Sequence, residues 1–281
     1  MSRVKIVYED ALKRGGKRGT VKSFSYPAWS ISHEKGTVIY KRAKAYLPYG
    51  YDESKEYPVL FLLHGERGDE NTLLPIEPAE GGSMIPYIAD YLIKKGAAKE
   101  CIIFCANGRT HPDFAMRDGG FPEKIEGSTL GFFEFDREIR RDILPYLDAH
   151  FPVSKKREAR AIAGVSLGGV QAVNLGAMRC GDLFAYAGAF SPASCVAAGP
   201  FIGRAIREQR TRLSLFFLSR ALSDGKKSAY DGALMGLQSA AAGGILRTET
   251  REYEDCEDEF QLLNRSFFEF FQLLFQTEEE A

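Results

Sequence analysis

The stretch that most limits what this chain can fold into is Ala161-Ile162-Ala163-Gly164-Val165-Ser166-Leu167-Gly168-Gly169. Small and branched apolar residues read as the end of a buried strand, and Gly-x-Ser-x-Gly follows at once. Val170, Val173, Asn174 and Ala177 then carry a helical spacing. A serine between a strand and a helix, with a glycine two residues to either side, fits a nucleophile elbow. That turn is so sharp that only residues without Cβ fit beside the serine, which is held in a strained conformation at the sheet's edge. The helix start turns amides and the positive end of its dipole toward any anion formed there. The same residues also suit a Gly-rich strand–helix turn with a surface serine, so the rest of the chain has to decide.

Around this turn, strands and helices alternate. Pro58–Leu63 and Cys101–Cys105 are continuous apolar runs, as in strands buried on both faces. Residues 20–47 alternate as antiparallel strands do, most clearly from Thr37 to Leu47. Ile85 to Lys95 has an apolar helical face, and Asn107 to Thr129 is a Gly- and Pro-rich loop of the kind that lines sites. Phe132 to Ala149 reads as a helix that Pro145 must kink or restart. After the serine turn come strand Phe184–Phe190, helix Phe201–Gln209, strand Leu213–Leu218, a helix around Ala229–Ala241, a strand around Gly244–Tyr253 and a last helix, Arg265–Gln276. Such alternation predicts an α/β fold: one doubly wound, mostly parallel central sheet flanked by helices on both faces, in a single domain. We expect a basic N-terminal arm over 1–19, solvated, then the domain over 20–276 and an acidic tail over 277–281.

Composition narrows the partners. With 281 residues and a net charge of −1, nothing suggests a polyanion partner, so no nucleic acid is expected. No apolar run reaches the length of a signal peptide or membrane span, so we expect a cytoplasmic protein with no membrane partner. Five cysteines are scattered; Cys101 and Cys105, four apart in an expected strand, stand about 13 Å from each other, too far to bridge. No pair has zinc spacing with a histidine, so free thiols and no metal are expected. Association of copies into a homo-oligomer stays open.

Three separated motifs in order, Tyr46-Leu47-Pro48-Tyr49-Gly50-Tyr51-Asp52, Tyr57 to Gly65 and Ala163 to Gly169, resemble the esterase D group of α/β-hydrolases. That group includes feruloyl, acetylxylan and enterochelin esterases and mycolyltransferases. Phe135 through Pro152 and Phe184 to Ser191 fit its pattern too, so the resemblance covers roughly residues 20–275 and implies the α/β-hydrolase fold. It implies a cofactor-free carboxylic-ester hydrolase acting on a small-molecule or carbohydrate-linked ester. Ser166 would attack the carbonyl, and the N–H groups of Leu167 and Glu66 would hold the oxyanion. Asp224 would be the acid of the triad, though Ser223-Asp224-Gly225 reads equally as a plain turn.

The histidine of the triad is where the pattern breaks. The group carries Gly-Gly-His-(Asp/Glu)-Phe before its last helix; here the run is Asp255-Cys256-Glu257-Asp258-Glu259-Phe260, which puts Asp258 at the histidine position. An ordinary carboxylate, with pKa about 4, is far too weak a base for a serine hydroxyl. Losing the base of a triad can cost about a million-fold, while oxyanion hole and binding alone leave roughly 10³–10⁴ over water. By this reading Asp258→His raises turnover. Two loops depart as well: His64-Gly65-Glu66-Arg67-Gly68 has a charged pair where the group has small residues, and Arg220 stands upstream of Asp224. Arg67 and Arg220 are candidates to face the acids or the substrate. Among the histidines, His64 reads as structural, His150 as a helix C-cap and His33 as remote, leaving His111 in the long loop as a relocated base. The alternative to an impaired esterase is an inactive pseudo-esterase kept for ligand binding or a protein partner.

Overall fold

The computed structural model describes residues 6–13, 15–31, 38–110 and 130–276. Its centre is one sheet of eight strands in the order β1-β2-β4-β3-β5-β6-β7-β8. These are β1 (Thr20–Ala28), β2 (Ile39–Leu47), β3 (Val59–Leu63), β4 (Ile102–Ala106), β5 (Arg160–Val165), β6 (Tyr186–Phe190), β7 (Leu215–Ala221) and β8 (Thr248–Tyr253). From β4 to β8 every neighbouring pair is parallel, and β2 joins β1 and β4 antiparallel. The continuous apolar runs predicted as doubly covered strands are such: β3 to β7 are buried at every residue.

Side chains alternate across these strands, so each face builds its own core. Phe61, Phe104, Ile162 and Phe216 point to one side, Leu60, Leu62, Ile103, Ala163 and Phe217 to the other. The first side is covered by Phe135, Ile139, Ile143 and Leu147, and by Ile202, Ile206 and Leu237 of two later helices. The second is covered by Ile85, Ile88 and Leu92 and by Leu263, Phe267, Phe270 and Phe271. This is the α/β-hydrolase fold as one domain, and among the described residues no helix is long and apolar enough to cross a membrane.

In chain order the helices are α1 (Tyr8–Ala11), α2 (Ile85–Lys94), α3 (Phe135–Glu138), α4 (Leu144–His150), α5 (Leu167–Gln171), α6 (Gly199–Arg207), α7 (Lys227–Ala241) and α8 (Glu259–Phe271). Pro145 does restart its helix. It lies in the first turn of α4, directly after the wider turn Ile139–Ile143.

In the N-terminal segment Lys13 and residues 15–18 are exposed, while residues on either side pack on the domain. Ala11 is buried with Ile6, Tyr8 and Leu12 against the α2–α8 face, the Tyr8 ring meets Phe268 edge-on at 5.2 Å, and Gly19 N–H donates to Asp90 at 2.8 Å. The last helix begins at Glu259, six residues before the expected Arg265, because the Asp258 carboxylate accepts from the N–H groups of Phe260 and Gln261 and caps it.

Candidate active site

In a parallel sheet the loops after the strands' C-terminal ends form the site, and here β3, β5, β6 and β7 deliver four of them to one place. Ser166 follows β5 with φ 55° and ψ −113°, a region that side chains rarely enter. Neighbours hold it there: its N–H donates to Phe190 O at 3.0 Å, and its carbonyl accepts from Val170 at 3.1 Å and Ala193 at 3.2 Å. The flanking glycines are required by packing. A Cβ on Gly164 would stand 2.5 Å from the Gly168 carbonyl carbon, and one on Gly168 would stand 2.2 Å from Leu63 O. Leu167 is the first residue of α5, so its N–H has no partner within the helix.

The loop after β3 lies beside the serine. Gly68 N–H closes a turn on Gly65 O at 3.2 Å, which leaves Glu66 N–H outside that turn's own hydrogen bond. Arg109 braces the turn from below, donating to Gly68 O at 2.8 Å and to Glu66 O. Its guanidinium lies 4.8 Å over the Phe132 ring. The Arg109 carbonyl in turn accepts from Lys41 Nζ at 2.7 Å, and Lys41 pairs with Glu138 at 2.9 Å, both side chains being fully buried. Gln171 ties the same region from α5, donating to Gly108 O at 2.8 Å and Phe132 O at 2.9 Å.

His64 is structural, as expected. Gly108 N–H donates to its Nε2 at 3.0 Å, which fixes the proton on Nδ1, and Nδ1 reaches Gly65 O at 2.7 Å. Burial, helped by the Arg109 charge, pushes its pKa down to about 3, so the ring is neutral. His150 caps its helix as expected, with Nδ1 donating to Tyr146 O at 2.8 Å. His33 and the candidate base His111 lie outside the described residues.

Among the described residues Asp224 accepts from Ser191 Oγ, from Ala221 N–H at 3.2 Å and from Lys226 N–H at 2.8 Å, and from no imidazole. Asp258 is not at the serine: it is exposed, and its carboxylate is committed to the cap of α8. The carboxylate that faces the serine is the next one. A Cβ placed on Gly65 would be 2.9 Å from Glu259 Oε1 and 3.3 Å from Ser166 Cβ, so Glu259 and Ser166 meet across Gly65. Loss of water raises the Glu259 pKa, against the opposing pull of Lys226 and Arg67 and with a further push from Asp258. Arg67 therefore does face an acid, though a different one from those expected. Arg220 faces an acid away from the serine: it is buried in an ion pair with its cross-strand neighbour Glu252, Nε at 2.6 Å from Oε1, with the Tyr230 ring at 5.4 Å.

One residue with no expected role completes the site. Lys226, at the N-cap of α7, reaches Ser166 Oγ with Nζ at 3.3 Å and Ser191 O at 3.4 Å. For Glu259 the sequence holds a signal, since Asp258-x-x-Gln261 is a capping-box spacing that starts the helix early; for Lys226 it holds none.

Comparison with known proteins places the chain by family and by fold. Residues 41–227 match the family described as "Putative esterase". The "Endo-1,4-beta-xylanase/feruloyl esterase" of Xylanibacter ruminicola is 26% identical over 274 residues, 95% of this chain but 33% of that protein. The chain thus spans about a third of the length of that relative. Among solved structures, the ferulic acid esterase of Anaeromyces mucronatus in complex with ferulic acid superposes with a TM-score of 0.74 at 24% identity, covering 97% of this chain and 98% of the other. The feruloyl esterase module of Clostridium thermocellum complexed with sinapinate gives 0.72 at 16%, covering 97% and 94%. With a match over about two thirds of its length that includes the serine turn, the chain belongs to the Esterase family.

Proposed function

We propose that this chain is a carboxylic-ester hydrolase of the feruloyl-esterase kind, with Ser166 as nucleophile and the N–H groups of Leu167 and Glu66 as oxyanion donors. The observation that carries the reading is the backbone of Ser166, kept at φ 55° by three hydrogen bonds at the first turn of a helix. Holding a side chain in such a region costs about 1–3 kcal/mol, and the surroundings sustain it where function uses it. Attack by Oγ on an ester carbonyl would place the new anion between the two N–H groups, the arrangement that stabilises acyl-transfer transition states. The named relatives support a substrate of hydroxycinnamoyl esters such as those of ferulic acid, free or linked to carbohydrate. Five free cysteines, four of them buried, fit a reducing compartment such as the cytoplasm.

The site departs from a histidine triad, and we expect turnover below that of a complete one. Among the described residues neither imidazole reaches Ser166, since His64 is bound to Gly65 and Gly108 and His150 is exposed on Tyr146. One observation favours the second reading, a pseudo-esterase: the Glu259 carboxylate lies against Gly65, beside the place where an oxyanion would form, and like charges there repel. A fluorophosphonate probe separates the two. Covalent labelling that disappears in Ser166→Ala, together with release of ferulate from methyl ferulate, is expected for the hydrolase; absence of both leaves the pseudo-esterase.

A further inference from the structure

We infer that Lys226 takes the proton from Ser166, making the site a serine–lysine pair where the family motif announces a serine–histidine–acid set. The inference rests on the ester-hydrolase reading above and names the base which that reading lacks.

Position comes first. The Lys226 backbone is fixed on both sides: its N–H donates to Asp224 Oδ1 at 2.8 Å and its carbonyl accepts from Tyr230 N–H at 3.0 Å. From that point at the β7–α7 junction, four methylenes carry Nζ back to 3.3 Å from Ser166 Oγ. The second contact, to Ser191 O at 3.4 Å, aims the nitrogen. Ser191 itself is held in the left-handed region at φ 46°. Among the described residues no carboxylate comes within ion-pair distance of Lys226, so the nitrogen is not consumed by a salt bridge as Lys41 is by Glu138.

Competing groups are committed elsewhere. Asp224 accepts three hydrogen bonds and Asp258 caps α8. Glu259 lies beside the serine but makes no hydrogen bond with it among the described residues, and a carboxylate is poorly matched to a hydroxyl proton. A lysine amine is a far stronger base, and serine–lysine pairs are an established variant of the triad logic.

The steps balance with water as the only co-reactant. Neutral Nζ accepts the Oγ proton as the bond from Oγ to the ester carbon forms, and the carbonyl oxygen becomes the anion held by Leu167 and Glu66 N–H. As the bond to the leaving oxygen breaks, Nζ returns the proton to that oxygen and the alcohol departs, leaving acyl on Ser166. A water then gives its proton to Nζ as it adds to the acyl carbon. Collapse releases the acid, and Nζ restores the proton to Oγ.

The charged groups around Nζ are Glu259 of α8, which Lys226 and Arg67 both pull on, and Asp224 of its own turn.

The test uses p-nitrophenyl acetate with wild type, Ser166→Ala, Lys226→Arg, Lys226→Met and His111→Ala, each checked for folding by circular dichroism and urea midpoint. Arginine keeps the charge and length but cannot take a proton. Loss of at least about 100-fold in turnover in both Lys226 variants, the scale of general-base catalysis, is the expected result. Lys226→Arg near wild-type turnover while Ser166→Ala is dead overturns the inference and leaves the hydrolase reading standing. So does loss in His111→Ala with Lys226→Arg active, which gives the base to His111. Lys226→Arg alone decides where Lys226→Met fails to fold. Wild type no better than Ser166→Ala at any pH overturns the hydrolase reading itself.

Discussion

The carboxylate of Asp224 accepts the hydroxyl proton of Ser191 and so ties the end of β6 to the turn after β7. Ser191 needs that tie, because its φ of 46° is unfavourable for a side chain and its other contacts are its N–H to Ser219 O at 2.7 Å and its carbonyl to Lys226 Nζ at 3.4 Å. Asp224→Ala removes the acceptor for Ser191, for Ala221 N–H and for Lys226 N–H together. Hydrogen bonds to a charged group contribute about 1.5–3 kcal/mol each, fewer in practice for a half-exposed carboxylate. We expect a loss of about 2 kcal/mol in urea unfolding, with a fall in turnover as Lys226 loses its anchor. A triad acid removed with no loss of stability would contradict this assignment.

Strain at the nucleophile gives a second prediction. Ser166→Gly frees the backbone at φ 55°, and relief of such strain is about 1–3 kcal/mol, offset by the extra freedom glycine has when unfolded, roughly 0.4–1 kcal/mol. The glycine variant is therefore expected to be about 1 kcal/mol more stable than Ser166→Ala, which keeps the strain, while both lack turnover. Equal urea midpoints for the two variants would mean that the elbow stores nothing.

The fold was legible because both faces of the central strands are apolar. Runs such as Val59–Leu63 and Ile102–Ala106 have one reading once turns bound them. The serine turn was legible because its glycines answer to contacts under 3 Å. The base was not, for a local reason. The apolar part of the final helix reads from Arg265, which leaves its polar first turn as loop; the resemblance sets Asp258 at the histidine position, where the structure has it cap the helix. Lys226 was invisible for the opposite reason: nothing local in Gly225-Lys226-Lys227 tells which lysine turns inward, and only the meeting of β5 and β7 ends decides it.

Moving the helix start changes what a repair mutation should do. With Asp258 read as the histidine position, Asp258→His would raise turnover. With Asp258 as a cap, the same change removes acceptors for Phe260 and Gln261 N–H and costs about 1 kcal/mol, leaving turnover of p-nitrophenyl acetate at the wild-type level. Glu259→His puts an imidazole on the side chain that passes Gly65 to the serine, and it is the change expected to increase turnover. A gain in the first variant and none in the second would return the histidine position to 258.

His64 supplies a pH dependence of stability with a definite sign. Folded, its ring is neutral with pKa about 3, against an ordinary value of 6.5. Between these values the unfolded chain binds a proton that the folded chain refuses, so stability falls as pH drops below 6.5 and is fully present above it. The slope for one such group is about 1.4 kcal/mol per pH unit. Replacing the ring by a residue that does not titrate, His64→Asn, lowers stability at neutral pH because Gly108 N–H and Gly65 O lose their partner. It also removes the slope. Urea midpoints measured from neutral to mildly acid pH should therefore converge between wild type and variant as acid is added. Parallel curves would show that the ring takes its proton inside the folded protein, and with it that the Gly65–Gly68 turn opens to let it do so.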